Sequence, residues 1–133
     1  MMTTPFRVAE LDHVVLRCAD QARALDFYVR ILGMHEERRV EPLGLVQLRA
    51  GRSLVDLVPA PAGVQVPAVG NVEHFCLAVE AEDMAVVAGA LRAQGVEVMG
   101  DPAERYGAHG MGPSIYVRDP EGNVVELKQL PRR

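Results

Sequence analysis

Four side chains in this sequence have the chemistry of metal ligands and lie in or beside apolar runs: His13, Asp56, His74 and Glu126. His13 precedes Val14-Val15-Leu16, and His74 precedes Phe75-Cys76-Leu77. Asp56 is set in Leu54-Val55-Asp56-Leu57-Val58, and Glu126 in Val124-Val125-Glu126-Leu127. A carboxylate buried in such surroundings is strongly disfavoured unless it is paired or bound to a metal. Two imidazoles with one or two carboxylates form a nitrogen–oxygen donor set that suits Zn, Ni, Mn, Co or Fe(II). An ion with an open coordination position would polarise a substrate oxygen or activate a water. Taken singly, each residue has a plainer reading, such as a hydrogen-bonded histidine or a strand acid that blunts an exposed edge. Their spacing argues for a common purpose.

That spacing is the spacing of an internal repeat. Residues 11–17 read as a strand, followed by a helical stretch that Asp20 opens and Leu32-Gly33 stops. Residues 72–79 read as a second strand, followed by a helical stretch with Glu82 and Asp83 in its first turn and a stop at Gln94-Gly95. The histidines stand 61 residues apart and the two stop glycines 62. Leu25, Tyr28 and Leu32 give the first helix an apolar stripe, widened by Ala24, Phe27 and Ile31; Val87, Ala88 and Leu91 give the second a weaker one. Shorter strands are predicted near 36–41, 44–50 and 53–58 in the first half, and near 96–99, 113–118 and 123–128 in the second. Asp56 and Glu126 therefore both fall in the last strand of their half. Their offset of 70 exceeds 61 by nine, which a longer loop in the second half, around 104–113, explains. Asp119-Pro120-Glu121-Gly122-Asn123 is a tight-turn signal, with Pro fixing φ and Gly free to take positive φ.

The expected architecture is α+β: two βαβββ modules forming a curved mixed-sheet cup within a single domain spanning 1–133. Module 1 covers about 10–58, a Pro- and Gly-rich linker 59–71, and module 2 about 72–129. Alternation along the strands sends Val14 and Leu16, Phe75 and Leu77, Val55 and Leu57, and Val125 and Leu127 toward the helices. His13, His74, Asp56 and Glu126 then share the opposite, concave side. The expectation is that they converge on one ion.

Length and composition fit this plan. The chain has 133 residues, 49% hydrophobic and 24% charged, which is the size and balance of one globular domain. A net charge of −4 argues against a nucleic-acid partner or an anionic membrane surface, both of which call for a basic face. The first fifteen residues include Arg7, Glu10, Asp12 and His13, so they form no apolar leader or membrane span. Cys18 and Cys76 form no CxxC, and the expectation is a cytoplasmic protein with reduced thiols.

The strand histidines, the helix containing Asp26-Phe27-Tyr28 and ending Ile31-Leu32-Gly33, and the closing Asp119-Pro-Glu-Gly-Asn-Val-Val-Glu126-Leu resemble the vicinal oxygen chelate superfamily. That superfamily includes glyoxalase I, bleomycin-resistance proteins, fosfomycin-resistance transferases and extradiol dioxygenases. The resemblance covers residues 11–129. It implies a paired βαβββ fold, a homodimer, and a divalent metal held by His13, His74 and Glu126. A fourth ligand, Glu in glyoxalase I, is matched by Asp56. Asp is one methylene shorter, about 1.5 Å of reach, against metal bonds that tolerate only ~0.2 Å. Asp56 is thus either drawn inward as a ligand or placed beside the metal as a base. Arg17 matches a glyoxalase arginine that contacts the glutathione carboxylate; the asparagine that accompanies it in that enzyme is Ala60 here.

The function expected from these residues is a metal-dependent lyase or isomerase of the glyoxalase I kind, acting on a small oxygenated molecule, thiol conjugates included. Glu126 and Asp56 would carry its proton chemistry. Arg105 and Tyr106, in the glycine-rich loop, and Tyr116, alternating with Ile115 and Val117, are the candidate substrate contacts alongside Arg17. A thiol transferase of the fosfomycin-resistance type or a dioxygenase would use the same scaffold. A non-catalytic binding module of the bleomycin-resistance type is the remaining alternative, and the retained His/His/Glu set argues against it.

Overall fold

The structure, a computed structural model, describes residues 9–63 and 72–131. Two βαβββ units follow one another. The first comprises β1 (His13–Cys18), α1 (Gln21–Leu25) continuing into a π-helical turn (Asp26–Ile31), β2 (His35–Val40), β3 (Leu45–Ala50) and β4 (Ser53–Pro59). The second comprises β5 (Phe75–Val79), α2 (Met84–Ala93), β6 (Glu97–Gly107), β7 (Gly110–Arg118) and β8 (Val124–Gln129). Each unit forms its own four-stranded mixed sheet, in the order β1-β4-β3-β2 and β5-β8-β7-β6. The first strand of each unit pairs parallel with the last, and the remaining neighbours are antiparallel. Residues 64–71 of the expected linker lie outside the described residues.

The helices form where the sequence supplies start and stop signals. The Asp20 carboxylate accepts from the Arg23 amide, and Asp83 accepts from the Ala85 amide, so Asp83 caps α2 rather than lying in its first turn. Gly33 and Gly95 take φ of +80° and +81°, the left-handed conformation that ends a helix without a Cβ penalty. The π-helical turn adds one residue to the first helix. Both members of the consecutive pair Phe27-Tyr28 are buried there, with their rings edge to face at 5.0 Å.

The apolar sides of both sheets contribute to one core. Tyr28, Val46, Leu48, Val55 and Leu57 from the first unit join Met84, Ala88, Ile115, Val117, Val125 and Leu127 from the second. The opposite side of β1 stays open: His13, Val15 and Arg17 are exposed, and Val15 keeps 50% of its surface accessible.

The expected loop at 104–113 is instead a long hairpin. β6 runs on to Gly107, turns at Ala108-His109, and returns from Gly110 with Tyr106 opposite Met111 and Arg105 opposite Gly112. The glycines that read as loop residues serve two other ends. Gly110 takes a φ of +87° in the turn. Gly107 and Gly112 leave room for a neighbouring side chain, Lys128.

The two units are joined by a buried polar contact. The Tyr28 hydroxyl donates to Asp119 Oδ2 at 2.6 Å, while the Glu121 carboxylate accepts from the backbone amides of Ala19 and Asp20. Burial, and then the Asp119 charge, push the Tyr28 phenol upward, so it remains a donor. Replacing Tyr28 with Phe keeps the ring and removes this one donor to a charged acceptor, which should cost about 1.5–3 kcal/mol. Urea unfolding should show a lower midpoint at unchanged m-value; an unaltered midpoint would show that the bond is dispensable.

Candidate functional site

Strand pairing gives the two units matching rows of side chains. In the first sheet Val15, Asp56 and Gln47 face one another across β1, β4 and β3. In the second, Cys76, Glu126 and Tyr116 do so across β5, β8 and β7. His13 lies two residues before Val15, and His74 two before Cys76. Two backbone bonds repeat the correspondence: Ala60 N–H donates to Cys18 O, and Leu130 N–H to Val79 O. The offsets of 61 and 70 are therefore a structural equivalence, with the hairpin in place of the expected loop absorbing the difference.

On the second sheet the imidazole and the carboxylate meet. His74 Nε2 stands 3.3 Å from Glu126 Oε1, with the Glu126 side chain 9% exposed and that of His74 31%. The other ring nitrogen, Nδ1, is 3.1 Å from Glu73 Oε1. Tyr116 packs edge to face on the His74 ring at 5.3 Å, and the Arg105 guanidinium lies 4.5 Å over the Tyr116 ring. Arg105 also donates to Ser114 O at 2.8 Å and Ser114 Oγ at 2.9 Å. Four of the expected residues, His74, Glu126, Tyr116 and Arg105, thus share one surface. Tyr106 does not join them. It alternates with Arg105 along β6, so its ring stands on the opposite side and is 81% exposed.

On the first sheet, Asp56 is 4% exposed. Gln47 Nε2 donates to its Oδ2 at 3.1 Å, while Oδ1 is buried without any hydrogen-bond partner. His13 lies near the same face, its Nδ1 2.7 Å from Asp12 Oδ1. The Asp12 hydrogen bond raises the His13 pKa; desolvation opposes it, and the Asp56 charge adds to the rise. Arg17 follows on the same exposed side of β1.

The expectation that His13, His74 and Glu126 converge within one chain is not met. Among the described residues no three His, Cys, Asp or Glu side chains come together as a metal site. The physical reason is the topology. Each unit closes its own sheet, the two sheets share no strand pair, and the apolar sides are the ones turned into the common core. The donors instead form two half-sets, His13 with Asp56 and His74 with Glu126. Each half fits a metal on its own terms. A separation of 3.3 Å is close to the ~3.4 Å between two tetrahedral ligands that each lie ~2.1 Å from an ion. The unpartnered Asp56 Oδ1 is an acceptor lacking a cation or donor.

Cys76 shares the surface with Glu126, but burial, reinforced by the Glu126 charge, pushes its thiol up to about 11. That direction runs against the thiolate a nucleophile needs. Sequence reasoning gave no role to Gln47, Ser114 or Lys128. Their strand parity, matching that of Asp56, Tyr116 and Glu126, was the available signal.

The chain matches the family model of the Glyoxalase/Bleomycin resistance protein/Dioxygenase superfamily over residues 10–127. The glyoxalase domain-containing protein RDO1 of Mycosarcoma maydis is 32% identical, over 90% of this chain and 68% of that protein. Among solved structures, an integron cassette protein from the V. cholerae mobile metagenome is 28% identical with a TM-score of 0.77, covering 96% of this chain and 100% of that one. The lactoylglutathione lyase of Agrobacterium tumefaciens is 25% identical with a TM-score of 0.66, covering 95% and 96%.

Titration of chelator-treated protein with Zn or Ni should therefore depend on the His74–Glu126 pair. His74→Ala and Glu126→Ala should each weaken binding by about tenfold or more, as loss of a ligand or its close support does. Equal metal affinity in all three proteins would remove the pair from consideration.

Proposed function

Because the chain belongs to the glyoxalase/bleomycin resistance protein/dioxygenase superfamily, we propose that it is a divalent-metal-dependent lyase or isomerase of the glyoxalase I kind, acting on a small oxygenated substrate. The observation that carries this reading is the 3.3 Å approach of His74 Nε2 to Glu126 Oε1, matched in register by Asp56 on the other sheet. Two copies of the chain complete the site. The first sheet of one faces the second sheet of the other, so that the partner's His13 joins His74 and Glu126. The exposure of His13, Val15 and Arg17 on β1 supports such a pairing, since an apolar Val half open to water gains from being covered.

A Zn, Ni, Mn, Co or Fe(II) ion held by this donor set would supply a Lewis acid for a substrate oxygen. The chain's own residues supply the rest. Asp56 travels with His13 on the same sheet, and Gln47 holds its Oδ2 so that Oδ1 is free to accept a proton. An isomerisation that removes a proton from one carbon and returns it to the next needs one such acceptor within reach. Glu126, set against His74, is the second carboxylate able to hold or return a proton. Tyr116 and Arg105, stacked beside His74, bind and orient the substrate, and Arg17 lines the outer end of β1. The free thiols Cys18 and Cys76 suit a reducing cytoplasm.

Metal analysis of protein purified without chelator, followed by a hemithioacetal isomerisation assay, tests the reading. Asp56→Ala should lower kcat by ~10²–10⁴ while metal content is kept. Undiminished kcat would end the role given to Asp56, and absence of any bound metal would leave only a binding module. Activity in thiol transfer to an epoxide instead would reassign the reaction on the same site.

The paired arrangement has its own signature. His13→Ala and His74→Ala should each be inactive alone. Mixing them through a denature–refold cycle should restore about a quarter of the sites, because half of the dimers are mixed and each mixed dimer regains one intact site. No rescue on mixing would place each site within a single chain.

A further inference from the structure

In both units the residue before the histidine is an acid: Asp12-His13 and Glu73-His74, 61 residues apart. Neither acid has a part in the function given above. Alternation along a strand would send neighbouring side chains to opposite faces. Asp12, however, lies just ahead of β1, and Glu73 and His74 lie ahead of β5, where the pleat has not begun. Each acid can therefore turn back to the ring that follows it. Asp12 Oδ1 lies 2.7 Å from His13 Nδ1, and Glu73 Oε1 lies 3.1 Å from His74 Nδ1. The same ring nitrogen is engaged both times.

Neighbouring contacts steady both pairs. Leu54 N–H donates to Asp12 O at 3.0 Å and Ser53 Oγ to Leu11 O at 2.7 Å, so β4 fixes the backbone that carries Asp12. The edge-to-face contact with Tyr116 holds the His74 ring. An ionised carboxylate only accepts, so a hydrogen bond to Nδ1 requires the ring proton to be on Nδ1. A neutral ring has one such proton, which leaves Nε2 with its lone pair. Nε2 of His74 is the nitrogen that stands 3.3 Å from Glu126 Oε1, a close approach that is not a hydrogen bond. Nε2 of His13 has no hydrogen-bond partner among the described residues. The two acids keep 88% and 92% of their side-chain surface, and ion pairs so exposed add little to stability. Their effect is on the rings and not on the fold.

We propose that Asp12 and Glu73 are positioning residues, each holding the imidazole that follows it as the Nδ1–H tautomer so that Nε2 is the donor offered to an ion. A carboxylate on the far nitrogen fixes the ring's orientation and makes the near one a better donor. This deepens the function given above and rests, for its use, on His13 and His74 being ligands. The tautomers themselves belong to the metal-free chain and can be read without any ion.

Nitrogen NMR of the full chain, isotope-labelled on histidine, chelator-treated and held at about pH 9, well above the usual imidazole range, reads the tautomer of each ring. His13 and His74 should carry the proton mainly on Nδ1. His35 and His109, whose rings bond no carboxylate among the described residues, should carry it mainly on Nε2 and serve as internal references. Asp12→Ala and Glu73→Ala should each turn only its own ring to the Nε2–H form. Each should also weaken Zn binding by about tenfold or more, and leave the thermal midpoint unchanged. A wild type that binds no Zn would end the metal reading while the tautomers still decide whether the acids set the rings, so the two fail separately. A wild-type His13 or His74 protonated mainly on Nε2 overturns the proposal. So does a ring whose tautomer stays the same when its acid is removed, or a Zn affinity that neither alanine variant lowers.

Discussion

Asp119 is buried, and three donors converge on its carboxylate from its own turn: the Glu121 amide, the Asn123 amide and the Asn123 side chain. A fourth comes from Tyr28, ninety-one positions earlier in the chain. The first three fix the turn that launches β8, and the fourth fixes that turn against the helix of the other unit. Glu126 begins its approach to His74 three residues after that turn. The position of the carboxylate is therefore set by a hydrogen-bond network outside the cup, in a protein region where an unsatisfied acceptor would be costly. The bond between the units and the geometry of the site have one origin.

The repeat explains how the site is divided. Parallel pairing of first and last strands sets an acid opposite the second residue after a histidine in each unit, whichever unit is considered. Sequence divergence has then given the two copies different partners. Tyr116 stands beside Glu126 where Gln47 stands beside Asp56, and an arginine stacks on the tyrosine while the glutamine holds the aspartate. One sheet carries an aromatic and cationic surface suited to binding. The other carries a free carboxylate oxygen suited to proton transfer.

Much of this was legible in the residues. The helix cap at Asp20, the glycine stops, the strand faces and the 61-residue repeat all follow from local rules, because alternation and capping act within a few residues; at the second helix the sequence suggests too early a start, and Asp83 is its cap. The hairpin was not legible, since glycines that clear space for Lys128 carry the same sequence signal as glycines that loosen a loop. Nor was the separation of His13 from His74 and Glu126. Which surfaces of two similar sheets turn inward depends on long-range packing, and the alternation pattern of each strand is the same either way. The π-helical turn, which buries Phe27 and Tyr28 together, likewise has no mark in a 3.6-residue stripe.

The strand order has one further consequence, for solubility. β2, at one outer edge, carries Glu36, Glu37, Arg38 and Arg39, and β6, at the other, carries Asp101, Pro102 and an irregular register between Met99 and Ala103. Charges, proline and bulges of this kind deter a foreign strand from docking. The remaining borders are less guarded: β5, FCLAV, carries no charge, and β1, HVVLRC, has only His13 and Arg17. Those two borders would offer their unpaired backbone groups to any extended segment nearby. With two borders of four guarded, β1 and β5 are the edges of this fold most open to clumping.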